Sequence, residues 1–136
     1  MTFSNEITHR NLDSIPQCVL DTFKEIGLSP NIAGYLYLST AIPLIAREPG
    51  VMGYKMTGAN GVYNIVANHW ETTSHRVERA IRHAIETVWD RGDYEALNKL
   101  FGNCVNPLKG KPTNSEFLTT LAFALRKQIL EEDRDS

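Results

Sequence analysis

The sequence predicts an all-α protein, a compact bundle of about six helices that contains a helix-turn-helix. Two observations support this prediction. Apolar residues recur at gaps of three and four along most of the chain, which is the spacing of a helix that buries one face. No stretch shows the alternation of polar and apolar residues that a half-buried strand requires. At 136 residues, the chain is long enough for one domain with its own core.

The first predicted helix spans 13–26, with Asp13 or Ser14 as its cap and Gly27 as its end. Residues 1–10 are polar and without period, which predicts a flexible N-terminal arm. The helical domain is predicted over 11–131, and the charged residues 132–136 are expected to form a frayed tail.

The second predicted helix runs from residue 29 to about residue 47 and is apolar on more than one face, so we expect it in the centre of the core. Pro43 lies inside it and predicts a kink or a break. The glycine-rich stretch 49–61 reads mostly as a connector. A short third helix is then predicted over 61–70, with Asn60 as its cap.

The fourth predicted helix, 72–92, is the most informative segment of the chain. Threonines at its start can cap a helix and Gly92 can end one. Its apolar side carries Val77, Ala80, Ile81, Ala84, Ile85, Val88 and Trp89. Its opposite side carries His75, Arg79, Arg82, His83 and Glu86, and Arg76 is a third arginine near the start. Such a helix is typical of major-groove readers, but a half-buried helix with a solvated charged face has the same pattern.

A short helix, a tight turn and a longer amphipathic helix together predict a helix-turn-helix at about 61–91. This packing also occurs without DNA binding, so the pattern alone leaves both functions open. After it, Asp93 is predicted to cap a fifth helix that Gly102 ends. Thr113 and Glu116 then form a capping box at the start of a sixth helix.

Composition excludes few classes of function. The formal net charge of −2 gives no general attraction to nucleic acid, although a local basic patch suffices for DNA. No apolar run approaches the roughly 18 residues that span a bilayer, and the N-terminus does not resemble a signal peptide. We therefore expect a cytoplasmic protein without membrane association. Cys18 and Cys104 belong to no CxxC pair and are expected as buried or free thiols.

No motif predicts catalysis, a cofactor or a metal site. His69, His75 and His83 lack HxxxH or HExxH spacing, and the last two are two turns apart on one helix. No GxSxG, P-loop or GxGxxG occurs. Lys109 and Lys111 precede the sixth helix, whose free backbone donors could bind phosphate; a solvated loop is the alternative.

Several strings resemble, in the same order, the DNA-binding effector domain of the stage zero sporulation protein A family. They are NLD (11–13), GYLYL (34–38), TTSHRVERAIRHAIETVWDRG (72–92), LFG (100–102) and KPTNSEF (111–117). The resemblance spans roughly residues 11–127. The run RVERAIRHAIE is its most specific part, and 48–61 is the poorest match.

The resemblance implies a transcription regulator whose fourth helix enters the major groove of a TGTCGAA-like site. By position it implies base contacts by Glu78, Arg79 and Arg82. An arginine can bond bidentately to guanine and a glutamate can accept from cytosine, while Glu78 could instead orient Arg82 four residues on. The implied contacts to the DNA backbone are Thr73, His75, Arg76, His83, Lys111, Thr113, Asn114 and Ser115.

The resemblance also implies protein partners. Asn98, Phe101 and Val105 match a region that contacts RNA polymerase sigma factor, with core packing as an equal alternative for Phe101. Family members bind adjacent sites as head-to-tail pairs, which implies a dimer on DNA. The family is normally a two-domain response regulator in sporulation, and here we expect the effector domain without a receiver, either stand-alone or excised. A protein-interaction module of the same fold, acting on sigma factor or on a full-length regulator without strong DNA binding, is the alternative function.

Overall fold

Six helices fill the parts of the chain that the structure, a computed structural model, describes: residues 14–48, 55–102 and 110–135. They are α1 (Gln17–Ile26), α2 (Ala33–Arg47), α3 (Val62–His69), α4 (Ser74–Arg91), α5 (Tyr94–Phe101) and α6 (Asn114–Asp135). No strand occurs within these ranges, and the prediction of an all-α bundle is confirmed. The predicted arm at 1–10 lies outside the described residues.

Helix α2 is the centre of the bundle, as its apolar composition predicts. Every residue from Leu38 to Ala46 is buried, and α2 packs against α1, α3, α4 and α6. The hydroxyls of Ser39 and Thr40 are buried there because both donate to the carbonyl of Leu36, at 2.8 and 2.9 Å. The helix is continuous through Pro43, so the break that this proline could cause does not occur.

The start of α1 differs from the prediction. The helix begins at Gln17, and within the described residues neither Ser14 nor a neighbouring side chain caps it. The carboxylate of Glu132, near the end of α6, instead accepts from the amides of Gln17 and Cys18, at 2.8 and 3.0 Å. The cap therefore comes from a residue remote in sequence, which a local pattern cannot reveal. The other predicted cap, Asp13, lies outside the described residues.

The start of α3 also differs. Asn60 does not cap it, because the glycine that follows holds the N-cap position. The amides of Val62 and Tyr63 donate to the carbonyls of Lys55 and Met56, at 2.9 and 3.2 Å. Backbone acceptors from the preceding turn thus satisfy donors that a side-chain cap would otherwise take.

Helix α6 continues to Asp135 and so includes residues 132–135 of the predicted tail. Asp133 accepts two hydrogen bonds from the guanidinium of Arg47, from Nε at 3.0 Å and Nη2 at 2.9 Å. Arg126, earlier in α6, donates from Nη1 to the carbonyls of Ala46 and Glu48 at the end of α2. Charged residues of α6 therefore hold the ends of two other helices.

We expect Glu132→Ala to lower the free energy of unfolding by about 1 kcal/mol at neutral pH, the usual value of a helix cap. The hydrogen bond with the side chain of Cys18, followed by those from the main-chain amides of Cys18 and Gln17, holds the pKa of Glu132 below its usual range. A carboxylate with a lowered folded-state pKa stabilises the fold at pH values above its unfolded pKa, and this is lost as pH falls through the folded pKa.

Urea unfolding of wild type and Glu132→Ala across a pH series measures this contribution. The difference between the two should disappear at low pH. Glu131→Ala is the matched control, because Glu131 is its exposed neighbour on the same helix. An unfolding difference for Glu132→Ala that persists unchanged at the lowest pH would contradict the assigned cap.

Candidate nucleic-acid interface

Helices α3 and α4 are joined by a tight turn over 70–73. The amide of Thr72 donates to the Ala67 carbonyl at 2.9 Å and the amide of Glu71 donates to the Asn68 carbonyl at 3.5 Å. This is a Schellman motif, which needs a left-handed residue at its centre. Glu71 takes that conformation with φ 55°, whereas the same motif at the end of α1 uses Gly27 at φ 83°. The two helices thus have the short, fixed connection of a helix-turn-helix.

Two further contacts fix the start of α4. The indole nitrogen of Trp70 donates to the Thr40 hydroxyl of α2 at 3.0 Å, which ties the turn to the central helix. The hydroxyl of Thr73 accepts from the amide of Arg76 at 3.2 Å, so the predicted threonine cap is confirmed. The turn before α4 is therefore bonded to α2, and the first turn of α4 is capped by Thr73.

The two faces of α4 are those that the spacing predicts. Val77, Ile81, Ala84, Ile85 and Val88 are buried. His75, Arg76, Arg79, Arg82, His83 and Glu86 are exposed. Arg76 and Arg79 form no salt bridge with any residue in the described part of the chain. Two cations near the start of this helix are therefore available to an anionic partner.

Glu78 and Arg82 lie one turn apart and form an ion pair. Glu78 Oε1 is 3.1 Å from Arg82 Nη2, and the two side chains are 36% and 63% exposed. A pair this exposed contributes little to stability, but it restricts where the guanidinium points. The geometry fits the alternative in which Glu78 orients Arg82.

The start of α6 carries the predicted capping box. The amide of Thr113 donates to Glu116 Oε1 at 2.9 Å, and the amide of Glu116 donates to Thr113 Oγ1 at 3.1 Å. The amides of Asn114 and Ser115 have no hydrogen-bond acceptor among the described residues. Such unpaired donors at a helix start favour an anion. Beside them, Lys111 Nζ lies 3.2 Å from a carboxylate oxygen of Asp90 on α4.

Asn114 differs from its predicted neighbours because its side chain is buried, with 8% of the residue exposed. Its Nδ2 donates to the Tyr63 hydroxyl at 3.1 Å and to the Glu78 carbonyl at 3.0 Å. Only the main-chain amide of Asn114 therefore remains for a DNA phosphate. This three-helix contact has no signal in the sequence, since Asn114 occupies an ordinary position within a capping box.

Helix α4 and the start of α6 enclose a groove of about 510 Å³. Its lining includes these predicted site residues: Glu78, Arg82, Lys111, Thr113, Asn114 and Ser115. The remaining predicted residues of this interface, which are Thr73, His75, Arg76, Arg79 and His83, lie outside the groove, at the start and on the exposed side of α4. The fold thus brings two separately predicted groups of residues together.

The residues predicted to contact sigma factor are not all at the surface. Asn98 is exposed on α5. Phe101 is 4% exposed, with its ring centroid 5.1 Å from that of Trp89 and 5.3 Å from that of Phe117. This placement favours the packing alternative for Phe101. Val105 lies outside the described residues.

The fold and this interface are those expected of a helical DNA-binding domain. A short helix and a tight turn present a second helix that exposes arginines near its start. A family model described as the sporulation initiation factor Spo0A C terminal matches residues 19–125, well over half of the chain. The chain belongs to this family and is a DNA-binding effector domain of the Spo0A type, which confirms the resemblance drawn from its sequence. The family is one of transcription-factor domains and not of enzymes. Among the described residues, no helix has the length and apolarity to cross a bilayer.

Proposed function

We propose that this domain is a sequence-specific transcription regulator that places α4 in the major groove of a TGTCGAA-like site. One observation supports this most directly. The exposed side of α4 bears Arg76, Arg79 and Arg82 in its first three turns, while the opposite side is buried in the bundle. The major groove, about 12 Å wide, admits a helix presented in this way.

Base recognition is assigned to Arg79, Arg82 and Glu78. Arg79 is exposed and its guanidinium can bond to O6 and N7 of guanine. Arg82 can do the same while Glu78 holds it from one turn away. Glu78 could also leave that ion pair and accept from cytosine N4, which the TGTCGAA-like site supplies beside its guanines.

Contacts to phosphate are assigned to both ends of the interface. Thr73 is the N-cap residue of α4, and His75, Arg76 and His83 lie on the helix, where they flank the proposed base readers. Lys111, Thr113, Asn114 and Ser115 offer an ammonium group, a hydroxyl or main-chain amides at the start of α6. Phosphate contacts set the orientation of the helix on the duplex but do not read sequence.

Arg79→Ala and Arg82→Ala are each expected to weaken binding to a TGTCGAA duplex by about 1–3 kcal/mol and to relax specificity at one base position. Fluorescence anisotropy with cognate and scrambled duplexes measures both effects. Arg91→Ala is the matched control, because Arg91 is an exposed arginine at the far end of the same helix. Equal losses of affinity in Arg79→Ala, Arg82→Ala and Arg91→Ala would show that these arginines act only through their charge and read no base.

A phosphate contact has a different signature. Lys111→Ala should weaken binding to both duplexes alike. It should also reduce the salt slope, which is the slope of the logarithm of the binding constant against the logarithm of salt concentration, by about 1. Asp90→Asn is the counterpart, because it removes the partner of Lys111 and keeps the ammonium group. It should strengthen binding to both duplexes. Loss of discrimination in Lys111→Ala would instead assign this lysine to base recognition.

We also propose that α5 contacts RNA polymerase sigma factor or a full-length regulator, which is the function expected if DNA binding is weak. The observation behind it is the exposed side of α5, where Tyr94 is 63% exposed and Asn98 and Lys99 are also exposed. In a co-purification assay with sigma factor, Asn98→Ala should retain less of the factor than wild type, and its affinity for DNA should be unchanged. Unchanged co-purification would remove α5 as the contact.

On DNA, a head-to-tail pair is expected, and the protein-to-duplex ratio on one-site and two-site duplexes measures it.

A further inference from the structure

We propose that Asn114 is a positioning residue that fixes the base-reading turn of α4 relative to the phosphate-binding start of α6. The inference deepens the proposed function and rests on it. It extends what the domain does at this interface: Asn114 sets how well base contacts and phosphate contacts can form together on one duplex, and so sets sequence discrimination.

The first argument is where the two hydrogen bonds of Asn114 go. An amide nitrogen has two N–H groups, and here one donates to the Tyr63 hydroxyl of α3 while the other donates to the Glu78 carbonyl of α4. A single side chain from α6 thereby joins both helices of the helix-turn-helix. Because the side chain is largely buried, losing its donors leaves two acceptors without their partner.

The second argument is which part of α4 is held. Glu78 carries the side chain that pairs with Arg82, and it precedes Arg79 in sequence. A bond to its main chain therefore fixes the turn that bears all three proposed base readers. Among the described residues, two other contacts join α4 to the start of α6. The ion pair of Lys111 with Asp90 is at the surface and gives way easily to a phosphate. The rings of Trp89 and Phe117 meet edge-on with centroids 6.1 Å apart, but Trp89 lies about three turns beyond Glu78 on α4.

The third argument is what lies beside Asn114 on α6. Its neighbours in sequence, Thr113 and Ser115, line the same groove as Glu78 and Arg82. Asn114 is thus adjacent in sequence to the proposed phosphate contacts and hydrogen-bonded to the base-reading turn. Without it, each group of contacts can still form, but the turn of α4 that carries the base readers is no longer bonded directly to the start of α6.

The test is the ratio of affinities for a TGTCGAA duplex and a scrambled duplex, together with the salt slope. Asn114→Leu keeps the size of the side chain and removes both donors. We expect the ratio to fall about tenfold, the equivalent of one buried hydrogen bond, since part of the effect of the two lost bonds falls on stability instead. The salt slope should be retained, because the main-chain amide of residue 114 stays in place. Tyr63→Phe removes only one of the two acceptors and should give a smaller fall in the same direction.

Thr22→Val is the matched control for a merely structural effect. Thr22 is also buried and its hydroxyl donates to the Cys18 carbonyl at 2.8 Å, but it lies in α1, away from the interface. This variant should lose stability and keep the affinity ratio. Circular dichroism identifies folded variants, and Tyr63→Phe serves if Asn114→Leu does not fold.

The outcomes separate the two proposals. If wild type prefers the cognate duplex and a folded Asn114→Leu or Tyr63→Phe variant keeps the same affinity ratio, the positioning role alone is wrong. Wild type with no preference between the duplexes overturns the proposed function and this inference with it. An equal fall of the ratio in Thr22→Val would assign the effect to stability and also overturn the positioning role.

Discussion

Phe101→Ala is expected to lower the free energy of unfolding by about 3–5 kcal/mol, the range for an aromatic residue removed from a core. The ring is almost fully buried, stacks on Phe117 and meets Trp89 edge-on. These three rings belong to α5, α6 and α4, so the resulting cavity would loosen the contacts among three helices. Urea unfolding followed by far-ultraviolet circular dichroism measures the change.

Asn98→Ala is the control for this prediction, because Asn98 is exposed on the same helix and should change stability by no more than about 0.5 kcal/mol. A Phe101→Ala domain as stable as wild type would contradict the packing role of the ring. If the expected loss is seen, reduced sigma-factor binding by Phe101→Ala reports a loosened α5 and not a lost contact. Asn98→Ala is then the variant that tests the surface.

The fold could be predicted where the controlling interactions are local. The buried face of α4 follows from the three- and four-residue gaps between Val77, Ile81 and Val88, which a helix places on one side. The caps by Thr73 and Asp93 are confirmed, because each side chain bonds an amide three residues on. Distance along the chain is short in every such case, so the sequence itself carries the signal.

Features that depend on distant contacts could not be predicted. The start of α1 was placed too early because its cap, Glu132, is 115 residues from Gln17. The ion pair of Asp133 with Arg47 is also remote in sequence, and a run of charged residues gives no sign of it. Both contacts are made by charged residues of α6 whose partners only the tertiary fold identifies.

The same division holds for the candidate interface. Exposure of Arg76, Arg79 and Arg82 follows from the helical period and could be predicted. The burial of Asn114 could not, because its acceptors lie on α3 and α4. Sequence reasoning thus finds the side chains that face a partner more readily than those that set their spacing.

The position of α4 itself depends on Gly34, a buried residue in the first turn of α2. A Cβ atom at this residue would lie 2.7 Å from the Cβ of Ala84 and would also overlap the carbonyl oxygen of Ala80. Glycine therefore allows the backbones of α2 and α4 to approach closely. The contact lies at the middle of α4, next in sequence to Arg79 and His83.

Gly34→Ala is expected to lower the free energy of unfolding by up to about 2 kcal/mol and to weaken cognate DNA binding. Two effects oppose each other. Alanine favours a helix by about 1 kcal/mol over glycine, whereas overpacking costs about 1–3 kcal/mol. The second effect prevails because one of the overlapped atoms is a main-chain oxygen, which cannot rotate away as a side chain can, so α4 must move. Thermal unfolding and anisotropy with the cognate duplex measure the two losses.

A second change separates the two overlaps. Ala84→Gly removes the Cβ that the new methyl group meets, but it leaves the carbonyl of Ala80 in place. Gly34→Ala combined with Ala84→Gly should therefore show less destabilisation than the sum of the single changes, without recovery of wild-type stability. A Gly34→Ala single variant that is more stable than wild type and binds DNA normally would show that α2 and α4 can separate freely. In that case helix propensity, and not close packing, would be the larger effect at this residue, and the placement of the arginines would have to depend on the turn at 70–73 and on Asn114.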